Sequence, residues 1–323
     1  MQSLVSLAKF LMRLWEATPQ PNDPTLRERF NLREFLTATP DEREQFMLEI
    51  ARQRHASECE LPIHKLFGLT QQRMTGLLHG KTVMELGCFV GGSAVAHAEA
   101  YGAAVMWGVD IEDVFLEAAR LFVRGRRGEF AFWRGSGEAI PLATESCDAI
   151  ITQDTLEHVH DVHATLRECQ RVLRPGGLLF AVFPSFYHPW GNHLGMVTNM
   201  PWLHAVFSDA VLEAAYRAIV AERGSQAYWY VPENSLAMNR GRFHGVNGIT
   251  ASTFRQIAAQ LRFPIVHRHV APLFGVGRRV QRHPWLRAFS FPLLPLAGIP
   301  GLEEFLVHRV CYVLQKTPRD WPQ

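Results

Sequence analysis

Residues 83–94 read VMELGCFVGGSA. The stretch opens on Val83 and Met84, apolar residues that suit a strand. It breaks at Gly87 and runs through Gly91 and Gly92 into Ser93, Ala94, Val95 and Ala96, a helix-like start. Glycine lets a backbone turn sharply and approach a ligand with no Cβ in the way. A helix that follows such a turn aims its first amides at polar ligand groups. Strand, glycine turn and helix in this order predict a βα unit with a nucleotide-type pocket at the turn. The bland alternative is a tight βα connection that binds nothing.

A dinucleotide site wants the spacing G-x-G-x-x-G after the strand. Here Phe89 stands where the second glycine would be, which impairs close approach to a pyrophosphate.

Working outward, the pattern alternates. Strands are expected over 81–86, 103–110, 129–133, 146–153, 178–183, 264–270 and 308–314. Helices are expected over 93–101, 115–123, 162–173, 208–222 and 250–260, with Pro175, Gly176 and Gly177 as the stop after the third. The fourth strand is nearly all apolar after Asp148, as a strand buried on both faces should be. Alternation of this kind predicts an α/β, Rossmann-like, doubly wound and mostly parallel seven-stranded sheet. Residues 1–80 read as a helical extension or lid, broken by the prolines at 19, 21 and 24. Thr39 with Glu42 three residues later reads as a capping box. The helix it opens carries Phe46, Met47, Ile50 and Ala51 as an apolar stripe. Residues 81–323 read as one domain, within which 183–247 is an insertion that breaks the alternation.

The 323 residues can bury a sizeable core. A net charge of +2 gives no footprint for nucleic acid, and the run Arg278, Arg279, Arg282 and His283 is too small for one. Five scattered cysteines, Cys59, Cys88, Cys147, Cys169 and Cys311, read as reduced thiols in a cytoplasm. Residues 4–15 are too short, and with Lys9 and Arg13 too charged, to span a bilayer. No small-residue cleavage site follows them. They read as a helix packed on its own domain, with a surface-seeking amphipathic helix as the alternative.

Ligands of an open parallel sheet bind outside the carboxyl ends of its strands. The polar residues expected there are Glu85 to Gly87, then Asp110, about 20 residues past the loop and suited to bond both ribose hydroxyls, then Gln153 and Asp154. Further motifs extend the pattern. Residues 133–142 read WRGSGEAIPL, 147–151 CDAII and 155–159 TLEHV, and Arg167 and Glu168 precede RVLRPGG at 171–177. With Glu85, Gly87 and Gly91, these segments resemble, in order and spacing, the motifs of class I S-adenosylmethionine (AdoMet) methyltransferases. The resemblance covers about residues 81–183. It implies an AdoMet-dependent methyltransferase, with S-adenosylhomocysteine as a product. It also implies a cofactor pocket lined by Glu85, Gly87, Cys88, Phe89 and Gly91, by Asp110 and Ile111, by Ser136, Gly137 and Glu138, and by Gln153. Two departures stand out: Phe89 for a motif glycine, and Ser136 where the family often has Asp.

The segment 183–207 is the expected acceptor site, with Phe186, Tyr187, His188, Trp190, His193, Trp202, His204 and Phe207. A neutral histidine suits a base near pH 7. His193, flanked by glycines, is the first candidate, with His188, His204 and His158 as alternatives; each also reads as an ordinary packed histidine. Tyr228 to Tyr230, Arg240 and Arg242 are candidate acceptor walls. Asp154, Glu157 and His158 would share a face if a helix began at 154, but they are read as helix-start residues with no metal. The expected partner is a small, partly apolar acceptor methylated on O or N. No nucleic acid and no stable membrane insertion are expected, and the protein is read as a monomer or homodimer. A non-catalytic AdoMet-binding or scaffold protein and a nicotinamide-dependent oxidoreductase stand as alternatives.

Overall fold

The computed structural model describes residues 1–16, 39–189, 194, 197–223, 246–273, 284–293, 295–299 and 301–318. The elements in chain order are α1 (Gln2–Leu14), α2 (Pro40–Glu60), α3 (Ile63–Leu66), α4 (Gln71–Leu78), β1 (Thr82–Leu86), α5 (Gly92–Tyr101), β2 (Val105–Asp110) and α6 (Asp113–Phe122). Next come β3 (Glu129–Arg134), β4 (Cys147–Gln153), α7 (Val162–Val172), β5 (Leu173–Phe183), α8 (Leu203–Val206) and α9 (Asp209–Arg223). The chain ends with α10 (Ala251–Gln260), β6 (Ile265–Pro272), α11 (Arg287–Ser290), α12 (Glu303–Leu306) and β7 (Val307–Gln315).

The seven strands form one sheet in the order β3-β2-β1-β4-β5-β7-β6. The pairs from β3 to β5 are parallel, and β7 runs antiparallel to both β5 and β6. The order reverses at β1, whose neighbours are β2 and β4, so the carboxyl ends of β1, β2 and β4 border the crevice where such folds bind ligands. Two apolar layers sandwich the sheet. One joins Met84, Leu86 and Ile150 to α7, α10 and Phe183. The other joins Val83, Ile151 and Phe180 to α3, α4 and α5.

The helices of 1–80 divide among three places, with α3 and α4 in the second of these layers. Helix α2 opens on the expected capping box: Thr39 Oγ1 accepts from the Glu42 amide (3.3 Å), and a Glu42 carboxylate oxygen accepts from the Thr39 amide (2.7 Å). Its stripe of Met47, Ile50 and Ala51 packs on Val90, Val95, Ala118 and Phe122, against the glycine loop and the two helices beside it. Helix α1 packs elsewhere. Its Ala8 and Met12 join Leu212, Ala215 and Ile219 of α9 in a separate cluster.

Two local expectations are corrected. Pro175, Gly176 and Gly177 are not a coil between helix and strand. Strand β5 already begins at Leu173, and Gly176 takes a φ of +80°, which keeps the segment paired with Lys316 through Gly176 N–H (2.8 Å) and Gly177 C=O (2.9 Å). Residues 154–160 form turns, not a helix start. Asp154 has a φ of +53°, and α7 is capped by Asp161, whose carboxylate accepts from the Ala164 amide at 3.0 Å.

Gly92 is a contact point that tolerates no side chain: a Cβ there would run into the Ala51 carbonyl oxygen and lie 2.8 Å from Arg54 Cβ. Gly92→Ala should therefore destabilise the fold by about 1–3 kcal/mol through overpacking. Gly76→Ala, in open space within α4, should be neutral or stabilising by about 0.4–1 kcal/mol. Urea unfolding of the two variants checks this, and equal stabilities would remove the proposed tight contact.

Candidate active site

The loop after β1 is closed by backbone bonds. The amides of Gly87 and Cys88 donate to the Val109 carbonyl (2.8 and 3.2 Å), which ties the turn to the end of β2. Gly87 and Gly91 take φ of +77° and +76°. Phe89, without a glycine's freedom, still takes +49°. Its ring offsets that strain by packing edge-on to Phe115 (centroids 4.3 Å apart) with the Arg54 guanidinium 5.6 Å away. The Phe89 amide donates to Asp110 Oδ2 (2.9 Å) and the Glu112 amide to Oδ1 (3.2 Å). With the Ile111 amide also bonded to it, the carboxylate still has an acceptor site left for a ligand hydroxyl. Burial raises its pKa, and the bonds from the Phe89, Glu112 and Ile111 amides work against that rise. Ile111 beside it is 47% exposed, an apolar face open to a ligand.

Other expected residues gather at the same edge with different commitments. The Cys88 thiol is fully buried, so Cys88 reaches the loop only through its backbone. Ser136 Oγ donates to the Glu138 carboxylate. Glu138 Oε1 also accepts from the amides of His160 (2.7 Å) and Asp161 (3.0 Å). Against the pull of burial, those bonds lower the Glu138 pKa. Gly137 packs on Thr165. Gln153 at the end of β4 has a buried carboxamide oxygen with no hydrogen-bond partner.

Two carboxylates lie beneath this edge. Glu85 is buried, and burial pushes its pKa up to about 7. It faces His97 of α5 (3.8 Å), whose other ring nitrogen lies 3.1 Å from Glu58 of α2. For His97, burial opposes the charged form, but the two carboxylates raise its pKa on balance. The motif carboxylate is thus directed into the protein and linked to the N-terminal helices. Glu157 is also fully enclosed, with one oxygen lacking a partner, and burial pushes its pKa up to about 8.

The edge expected to take the acceptor is bordered by β5 and β7. Because β7 is antiparallel, its first residues lie beside the end of β5, with Phe183 opposite Val310. Arg309 pairs with Asp154, and His308 Nδ1 lies 3.1 Å from His188 Nε2. Among the expected bases, His188 is buried in this pair. His158 is exposed on the 154–160 turn. His204 is engaged with the Tyr187 carbonyl (3.0 Å), and burial lowers its pKa. His193, Trp190, Tyr228 to Tyr230, Arg240 and Arg242 lie outside the described residues. Sequence reading missed His308 and Arg309; the signal was their place at the start of a final strand, legible only once that strand is known to be antiparallel. Among the described residues no group of His, Cys, Asp and Glu has metal-binding geometry.

The Glu157 environment yields a stability prediction. A carboxyl whose folded pKa exceeds its ordinary value of 4.5 contributes most below that value and loses its contribution as pH rises through about 8. Wild type should thus lose stability relative to Glu157→Gln across this range, by an amount on the order of a few kcal/mol. Unfolding curves at several pH values measure it, and a pH-independent difference would contradict the enclosed carboxyl.

Residues 84–181 match the model of a methyltransferase domain. An uncharacterised methyltransferase of Mycobacteroides abscessus is 34% identical over 41% of this chain and 50% of its own length. The ubiquinone/menaquinone biosynthesis C-methyltransferase of Syntrophotalea carbinolica is 27% identical over 60% and 77%. The ubiquinone biosynthesis O-methyltransferase of Bordetella avium is 32% identical over 34% and 45%. The chain thus spans about half the length of the Mycobacteroides and Bordetella relatives it matches. Residues 84–181, with the sheet around them, are a methyltransferase domain of the class I superfamily, whose cofactor is S-adenosylmethionine.

Proposed function

We propose that the protein is a methyltransferase that moves the methyl group of AdoMet to an O or N atom of a small, partly apolar molecule in the cytoplasm. The observation that carries this reading is the Asp110 carboxylate, held against the glycine loop by the Phe89 amide with acceptor capacity left over. The residues present fit the cofactor. Asp110 suits the ribose diol, exposed Ile111 suits one adenine face, and the unpartnered Gln153 oxygen suits a ligand donor. Ser136 donates its hydroxyl to Glu138 and accepts from the Glu138 amide, which leaves its oxygen one lone pair for the adenine amino group. The Phe89 side chain, with its ring on Phe115, stands at the position a dinucleotide fold keeps bare for pyrophosphate. Five free cysteines support a reducing compartment. No helix among the described residues is long and apolar enough to cross a membrane.

When bound, AdoMet supplies an electrophilic methyl group on a sulfonium. The protein's part is to hold the acceptor in line, keep water out and take a proton. The His188–His308 pair suits the last task. Two imidazoles 3.1 Å apart share one hydrogen bond, which favours a neutral acceptor nitrogen on one ring. Tyr187, stacked on Phe305 at 5.2 Å, offers an apolar wall nearby. Arg309 with Asp154 supplies a polar anchor at the same edge. Apolar walls with few polar groups suit a largely apolar acceptor. The relatives' names, which include O-methylation and C-methylation in ubiquinone biosynthesis, support an acceptor of that general character.

Transfer of a labelled methyl group from AdoMet to a panel of phenols, quinols and amines tests the reading. AdoMet binding without transfer to any of them would favour the scaffold alternative. Asp110→Ala should weaken AdoMet binding by roughly 1.5–3 kcal/mol, the worth of hydrogen bonds to a charged group; unchanged affinity in calorimetry would displace Asp110 from the ribose. His188→Ala should cut turnover on a hydroxyl acceptor by about 10²–10⁴-fold with AdoMet affinity intact. Wild-type turnover in that variant would return the base assignment to His193.

A further inference from the structure

Three buried titratable side chains stand in line behind the glycine loop, and the transfer chemistry above uses none of them. Glu85 lies on β1, two residues before Gly87. His97 lies on α5, the helix into which the loop leads, and Glu58 on α2. All three are at most 9% exposed. His97 Nε2 is 3.1 Å from Glu58 Oε1, and His97 Nδ1 is 3.8 Å from Glu85 Oε2. The second contact is too long for a hydrogen bond, and neither of its atoms has a hydrogen-bond partner elsewhere. Glu85 and His97 are therefore joined by charge, at a distance where each buried group feels whether the other holds a proton.

The surroundings decide how many protons this set holds. Fully ionised, two carboxylates and an imidazolium leave a negative charge in excess, away from water. Arg54 of α2 and the Ser93 hydroxyl of α5 favour the charged form of Glu85. Tyr101 of α5 stacks on His97 at 6.2 Å, and its hydroxyl lies 3.1 Å from His64 of α3. The Cys88 thiol of the loop is held protonated by burial. Burial also pushes the Glu85 pKa up to about 7, with the His97 charge the main influence against that rise. For His97, burial opposes the charge, but Glu58 and Glu85 outweigh it. Near neutral pH the set thus exchanges a proton, which sits on Glu85 in acid and leaves as pH rises.

Near neutral pH AdoMet is a cation, because its sulfonium and ammonium groups outnumber its carboxylate. A negative charge in the low-dielectric layer under the loop favours such a ligand, and a neutral carboxyl does not. We propose that His97, held by Glu58, is a positioning residue that sets the charge of Glu85 beneath the glycine loop and so makes AdoMet binding strengthen as pH rises. The three side chains act from behind the loop. The inference rests on the AdoMet reading above. It also gives α2 a part beyond packing: its Ala51 carbonyl already abuts Gly92, and Glu58, two turns further on, adds a link through charge.

Calorimetric titration of the full chain with AdoMet between pH 6 and pH 8 tests it. Wild-type affinity should rise about fivefold or more over this range. Glu85→Gln should remove the rise, a comparison from which the ligand's own ionisation cancels. His97→Gln should move the rise to higher pH, because the carboxyl loses its facing cation; a side chain that only packs would weaken binding alike at every pH. Nuclear magnetic resonance of the histidine rings in the cofactor-free chain gives a second readout. The His97 ring should titrate above the ordinary 6.5 in wild type and lower in Glu58→Gln. Wild-type affinity that does not change with pH, a rise that survives Glu85→Gln or stays in place in His97→Gln, or a His97 ring titrating below 6.5 would overturn the inference and leave the AdoMet reading standing. No AdoMet binding at any pH would overturn both.

Discussion

The loop after β1 exists because three surfaces meet it with no room to spare. Thr155 lies under Gly87, Ala119 is 2.7 Å from where a Cβ on Gly91 would stand, and the backbone of α2 presses on Gly92. The positive φ at Gly87 and Gly91 sets the turn, and these contacts hold it. Once the turn is held, the amide of Phe89 falls within reach of Asp110. Everything at the cofactor side depends on that clearance. It explains why α2, far away in sequence from the sheet's last strands, belongs mechanically to the loop.

Much of this was legible in the sequence because it is written in local rules. The alternation of strands and helices, the Thr39–Glu42 cap and the acid at the end of β2 follow from periodicity, capping chemistry and the reach of a βα unit. What could not be read is what depends on partners far apart in the chain. Glu85 reads as a pocket residue by position, yet His97 and Glu58 draw it inward, and Glu58 lies on a helix outside the alternating pattern. Asp154 reads as a helix start by composition. Its left-handed backbone and its pairing with Arg309 come from β7, which arrives 155 positions later.

The buried titratable groups divide in a similar way. Glu85, His97 and Glu58 form a linked set, in which each carboxylate offsets some of the cost of burying the imidazole. Glu157 lacks such company and answers burial by holding its proton. Both lie within a few residues of the crevice, Glu85 on β1 and Glu157 in the turn after β4. Two further buried carboxylates, Glu303 and Glu304, lie away from that point, on α12 just before β7.

The antiparallel course of β7 divides authorship of the crevice between the two ends of the chain. Strands β1, β2 and β4, all before residue 154, present their carboxyl ends to the cofactor side. Strand β7 brings its amino end, with His308 and Arg309, beside the end of β5, the side proposed for the acceptor. On the proposed function, substitutions at His308 and Arg309 would change which acceptor is taken while leaving untouched the strands that border the donor.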